Sequence, residues 1–304
     1  MIVFAGPYVY YSLLINRTAV ENIPEGYRFP KITDFWMSVV GAVVTVFFKY
    51  AVPPYFEWIF VDIVKESDDK VYQANHIIKA AKALYDMIQY ILLSAWGFYV
   101  LKYHSNILPW YMGGDQTMEG AFIALYKDCP FTECSWPLYV WFLTTQGMYY
   151  GELVKHCLEP RGKGWMEFFI HHIATCCLVF ASTMSNFISY GAIIHYIHLV
   201  SDIAVNLVKM LGSTNYDTFT AIVFTVFHMP CWGFWRLFCL PVIIYGIYTH
   251  SDFSYKDPIF APFDCFIAWN GHYLVVLLIL HWYWYGLFFK MIYNALTTGV
   301  SEDI

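Results

Sequence analysis

The chain has 304 residues, of which 59% are hydrophobic, 21% aromatic and only 13% charged. That balance is too apolar for a water-soluble domain of this length and predicts an all-α protein that crosses a membrane several times, because only intrasegment hydrogen bonding satisfies a lone span in lipid. The net charge of −6 is spread through loops without a basic patch, which excludes nucleic acid as a partner.

Residues 1–33 make an N-terminal segment. Its first fifteen residues are apolar but lack a basic leader and a small-residue cleavage site, so they read as retained and lying in the interface. Asn16-Arg17-Thr18 is a glycosylation sequon, and its use requires a lumenal location. Residues 34–52 form the first span, closed by Pro53-Pro54, with Lys49 expected to snorkel to the interface. The mixed charges of residues 55–80 read as an amphipathic surface helix plus linker. The second span covers 81–103. The polar loop 104–135 carries Cys129 and Cys134, which either pair in a lumenal loop or stay as free thiols.

The third span, 136–156, is aromatic and includes Gln146, Tyr149, Tyr150 and Glu152. The fourth and fifth, 166–184 and 187–210, flank a turn expected between Asn186 and Gly191. Residues 219–249 are interrupted by Arg236 and Pro241; at about 1.5 Å per residue they exceed a core of roughly 30 Å, so tilt or a kink at Pro241 is expected. The last span is 263–293, and 294–304 is a short acidic tail in which Ser301 is a candidate for phosphorylation. Residues 81–293 hold six spans and form the main domain, preceded by 34–80. Seven spans from a lumenal start put the C-terminus in the cytosol. Lys and Arg then divide ten to six in favour of the cytosol, as the positive-inside rule requires.

Chemistry concentrates in the fourth and fifth spans. On a helix His195, His198, Asp202, Asn206 and Lys209 form one polar stripe, while His171, His172 and Thr175 make a second cluster. Ionisable groups among Ile, Val, Leu and Ala must face protein or a water-filled cavity, and mark a functional site by default. The topology puts both clusters at similar depth on the cytosolic side, where they are expected to meet. Imidazoles beside a carboxylate suit acyl transfer. One ring attacks a thioester or takes a proton from a nucleophile, and the carboxylate orients it. A metal site built from His171, His172, His195, His198 and Asp202 is the rival, weakened by the lack of membrane di-iron HxxxH and HxxHH spacings. Lone histidines such as His228, His272 and His281 read as packing partners.

The stretch from His171-His172 through Thr175, Asn186, Gly191, His198, Asp202 and Lys209 resembles the Lag1 motif of ceramide synthases, members of the TLC-domain family. Weaker similarity lies in the sequon, in Tyr149-Tyr150 before a basic loop, in Arg236-Leu237 with Pro241, and in the last span. The resemblance implies a multi-pass enzyme of the endoplasmic reticulum that joins the acyl group of acyl-CoA to the amine of a sphingoid base, without metal or redox cofactor. It implies six helices in a barrel plus a peripheral N-terminal helix, and a glycan at Asn16. It also implies catalytic roles for His171, His172, His198 and Asp202, and substrate-binding roles for Thr175, Asn206, His195, Lys209, Tyr149 and Arg236. Partners would be the two substrates, membrane lipids, and further copies or a small regulatory subunit. One departure matters: the family's first motif acid is Leu199 here, with Asn206 or His195 expected to compensate by hydrogen bonding. A non-catalytic lipid-binding or lipid-transport protein is the alternative; a seven-helix receptor has only span count behind it.

Overall fold

The computed structural model describes all of the chain except residues 1, 24, 26–27, 66–67, 127–130, 163, 251–260 and 299–304. Its described residues form helices: α1 (Ile2–Glu21), α2 (Trp36–Ala51), α3 (Lys70–Tyr99), α4 (Met118–Tyr126), α5 (Trp136–Leu158), α6 (Trp165–Met184) and α7 (Ile188–Gly212). A segmented helix follows, made of α8 (Asp217–Ile222), α9 (Met229–Trp232) and α10 (Leu240–His250), and then α11 (Ala261–Thr298). β-pairing among the described residues is confined to two isolated bridges, Val64 with Thr214 and Pro109 with Gln116. The protein is therefore an all-α polytopic membrane protein.

Among the described residues six helical stretches are long and apolar enough to cross a membrane: Ile32–Ile59, Lys70–His104, Trp165–Met184, Ile188–Gly212, Asp217–Thr249 and Trp269–Thr297. The seventh expected span, α5, has 23 residues but is less apolar. Its polar residues explain this, and two of them, Thr145 and Gln146, are fully buried. A helix surrounded by protein needs no apolar perimeter. Residues 55–80 depart from expectation, since the surface helix is replaced by a 3-10 turn, Pro53–Ile59, and by the first turns of α3. The loop 104–135 contains α4, and Cys129 lies outside the described residues. So do Ser301 and residues 251–260.

The chain divides into two compact units. The first comprises Met1–Val46, Ala95–Tyr196 and Val242–Leu277. Here α2 and α5 approach through glycine: a Cβ on Gly147 would lie 2.6 Å from the Ser38 carbonyl oxygen, and one on Gly151 would lie 2.8 Å from Thr45. The Gly147-x-x-x-Gly151 spacing puts both on one face, the small-residue device of membrane helix pairs. Ser38 Oγ donates to the Leu143 carbonyl at 3.1 Å across the same contact. Helices α5 and α6 are joined by Thr183 Oγ1, which donates to Gln146 Oε1 at 2.8 Å. Helix α1 packs on α6. Asn16 fixes that contact by donating to the carbonyls of Pro30 (2.8 Å) and Met184 (3.0 Å).

The turn between α6 and α7 is tighter than expected. Asn186 adopts φ 59°, Phe187 N–H bonds the Ser182 carbonyl at 2.8 Å, and Asn186 N–H bonds that of Thr183 at 3.2 Å. This is a Schellman cap with asparagine at the left-handed position. Gly191 is consequently inside α7, where its missing Cβ admits the Phe142 ring.

The second unit comprises Phe47–Ser94, Ile197–Pro241 and Leu278–Ile304. Lys49 does not snorkel: it is 2% exposed and its ammonium bonds Asp86 at 2.8 Å. An ion in hydrocarbon is stabilised by a partner when its stem cannot reach water. Phe60 packs with Ala80 and Ala81, and the loop before α3 is pinned to the end of α7 by Asn215 N–H to the Ile63 carbonyl at 2.9 Å. Instead of one kink at Pro241, the helix from Asp217 contains two π-helical segments, Val223–His228 and Gly233–Cys239. Each precedes a proline, Pro230 and Pro241. A proline lacks the N–H that the preceding turn needs, and the ladder slips by one residue.

Candidate functional site

In the first unit α6 carries His171 and His172, both partly exposed, with ring centroids 5.5 Å apart. His156, from the end of α5, adds a third ring at 5.2 Å from His172. It stacks on Trp165 at 5.0 Å, donates from Nε2 to the Trp165 carbonyl (3.0 Å), and its own carbonyl takes the Trp165 indole N–H at 3.2 Å. The start of α6 is thereby clamped to the end of α5 beside the histidine pair. The periodicity of one helix could not reveal His156, because it arrives from another. Thr175 donates to the His171 carbonyl at 2.9 Å, a local bond one turn back along its own helix.

His195 is enclosed in the same unit. Its Nδ1 meets Thr145 Oγ1 at 2.8 Å, its ring stacks on Phe142 at 4.5 Å, and Tyr149 stands edge-on at 5.0 Å. The Thr145 hydroxyl lies 2.9 Å from the Phe142 carbonyl and can donate there, in which case the imidazole carries its proton on Nδ1. His195 thus commits Nδ1 to Thr145.

The second unit holds His198, Asp202, Asn206 and Lys209 on α7, together with Arg236 and His281. Arg236, only 3% exposed, donates through Nη2 to Asp202 Oδ1, through Nε to Ser201 Oγ at 2.6 Å, and through Nη1 to His281 Nε2 at 3.2 Å. The face of its guanidinium lies 4.3 Å from the centre of the Trp232 ring. Because His281 Nε2 accepts from a cation, the ring is the neutral tautomer with its proton on Nδ1. His198 packs against His281 at 5.1 Å. Asn206 Nδ2 donates to the Asp202 carbonyl at 2.8 Å, so it braces the backbone and leaves the carboxylate to Arg236. Leu199 is fully buried, while Lys209 is exposed. His281 is the helix-packing partner expected of it, here to Arg236, whereas Ser201 and Trp232 escaped sequence reasoning because separate chain segments bring them to Arg236. The buried arginine in an apolar span was the available signal.

The pair is asymmetric. The Asp202 side chain keeps 22% exposure and that of Arg236 keeps 4%. A hidden cation thus holds an accessible carboxylate, and arginine stays charged at any physiological pH. Among the described residues no three His, Cys, Asp or Glu side chains are placed to hold a metal ion.

The sequence pattern of the TLC domain matches residues 79–290, well over half the chain. The chain belongs to the TLC-domain family. This TLC-domain protein is similar to ceramide synthase hyl-2 of Caenorhabditis elegans, with 22% identity over 97% of the chain and 88% of that protein. It is similar to ceramide synthase LOH2 of Arabidopsis thaliana at 26% identity over 75% of the chain and 74% of that protein. With mouse ceramide synthase 4 it shares 25% identity over 59% of the chain, a match that spans only 44% of the mouse protein. A ceramide synthase role is supported by these relatives at low identity.

Proposed function

We propose that this TLC-domain protein is an acyl-CoA-dependent N-acyltransferase that makes ceramide from a sphingoid base, in the endoplasmic reticulum membrane, with a lumenal N-terminus and a cytosolic C-terminus. The observation that carries the reading is the accessible Asp202 carboxylate held by buried Arg236 within an apolar segment. A long-chain amine arrives protonated, and a fixed carboxylate that keeps 22% exposure can accept a hydrogen bond from its ammonium while Arg236 holds it in place. His171 and His172 are partly exposed, with both ring nitrogens of His171 lying beneath the surface, and imidazole is the kind of group acyl transfer uses.

In the reaction as proposed, an imidazole nitrogen of His171 attacks the thioester carbon. The carbon–sulfur bond breaks, and CoA leaves with the imidazole's proton. The ammonium gives up one proton to His172 and the amine attacks the acyl-imidazole; the carbon–nitrogen bond to His171 then breaks and the amine's second proton passes to that nitrogen, leaving the amide and neutral His171. In the variant reading His171 acts only as the base in direct transfer. Tyr149, Thr175 and His195 are the substrate-binding candidates of the first unit, and His198, Asn206 and Lys209 those of the second. Neither version calls on a metal or redox group, and acyl-CoA is the co-substrate.

Purified protein given a sphingoid base and a panel of acyl-CoAs should form ceramide, and His171→Ala and Asp202→Asn should each abolish it. Acyl label trapped on His171 without amine selects the covalent version. The buried Leu199 at a family acid position favours the second reading, a lipid-binding or lipid-transport protein. Lipid binding without product from any acyl-CoA would establish that instead.

A further inference from the structure

A cavity of about 530 Å³ lies within the first unit, at one end of its helices. Its lining comes from the residues where the helix of α3 ends (His104, Ser105), from the start of α5 (Ser135, Trp136), from the turn after α6 (Asn186) and from Arg28. Pockets of roughly 300–1,000 Å³ are the usual size for a small organic group. The lining is braced by Asn186 Nδ2, which donates to the Thr132 carbonyl at 3.1 Å and so ties the turn after α6 to the segment before α5.

The polar groups of the lining define what it can take. Arg28 and Glu133 bring a cation and a carboxylate, both exposed. The Arg28 guanidinium lies 5.7 Å from the centre of the Trp136 ring and 5.8 Å from that of Tyr139. Contact through its face leaves its in-plane N–H groups to hydrogen-bond. Asp34 is engaged elsewhere, accepting from the Tyr139 hydroxyl at 2.7 Å and the Lys31 backbone N–H at 3.1 Å. Ser135 precedes α5 without a side-chain capping bond, since Pro137 at the second helical position has no N–H to give. Its hydroxyl lies 3.4 Å from that of Ser105. Two hydroxyls share one hydrogen between them, so the other O–H is left to donate to a ligand.

A guanidinium fork beside a hydroxyl suits phosphate oxygens, and a carboxylate suits an ammonium. Trp136 is 56% exposed at the end of its span, and indoles at such ends sit at the level of lipid headgroups. A phosphate that carries both an ammonium and hydrocarbon chains meets all of these conditions. We infer that the cavity binds the headgroup of a zwitterionic phospholipid, with Arg28 and the serine hydroxyls on the phosphate and Glu133 on the ammonium. The site lies at the other end of α6 from His171 and His172, and it does not depend on the proposed acyl transfer.

The test uses the purified full chain in phospholipid-free detergent, with bound lipid read by native mass spectrometry. Phosphatidylcholine should stay bound, one per chain, about tenfold more tightly than the diacylglycerol of the same chains, which lacks the phosphate. Arg28→Gln should remove that difference. Glu133→Gln should weaken phosphatidylcholine and strengthen phosphatidic acid, which has no ammonium, whereas damage to the fold would weaken both. Equal affinity of the unaltered protein for phosphatidylcholine and diacylglycerol overturns the inference, as does a preference that survives Arg28→Gln. Free phosphocholine that displaces the lipid at equal concentration would assign the cavity to a soluble phosphate ester and overturn the lipid as its occupant.

Discussion

A single side chain decides most of the chemistry in the second unit. Arg236 bonds Asp202, Ser201 and His281 at once, and each bond removes a different instability of a polar atom in apolar surroundings. Arg236→Gln should cost about 1–3 kcal/mol, since it leaves Asp202, Ser201 and His281 without their shared donor. Arg236→Gln combined with Asp202→Asn should cost less than the sum of the two changes, as a double-mutant cycle of denaturation in detergent will read. Asn16 illustrates the opposite lesson. The sequon is present, but its side chain is 6% exposed and its nitrogen donates to two carbonyls. A glycan would occupy that nitrogen. Endoglycosidase treatment should therefore leave the protein's mobility unchanged, while Asn16→Ala should lower stability by about 1–3 kcal/mol.

Among the elements, α5 is less apolar than the other spans because part of it is enclosed by protein. Thr145 and Gln146 lower its hydropathy because they bond His195 and Thr183, and Gly147 and Gly151 exist to admit α2. Gly147→Ala should destabilise the first unit by about 1–3 kcal/mol, because the added methyl meets backbone at Ser38 and the helices must separate. A matched substitution at Gly162, which has open space around its Cβ position, should be nearly neutral in the same thermal assay. The helix from Asp217 shows why a proline's position is legible and its effect is not. Pro241 announces a disturbance, but whether it bends the helix or slips the ladder depends on what the freed carbonyls meet.

For the whole molecule, the orientation proposed above exposes Cys157 to the cytosol and Cys134 to the lumen. A membrane-impermeant maleimide applied to sealed microsomes should label the exposed Cys157 and spare Cys134. After permeabilisation Cys134 should still react slowly near pH 8, because burial pushes its thiol up to about 12 and the reactive thiolate is scarce well below that value. Labelling of Cys134 in sealed vesicles would reverse the assigned topology.

Six of the spans, the polar stripe on α7 and the histidine pair on α6 were determined by the sequence alone. Hydrophobic length and helical period are local quantities, readable from neighbours along the chain. Only the tertiary structure decided that Lys49 pairs with Asp86, that His156 joins the pair on α6, and that Arg236 anchors Asp202. Such partners lie tens of residues away. A buried charge announces that it needs a partner, but which one it finds depends on how the helices pack.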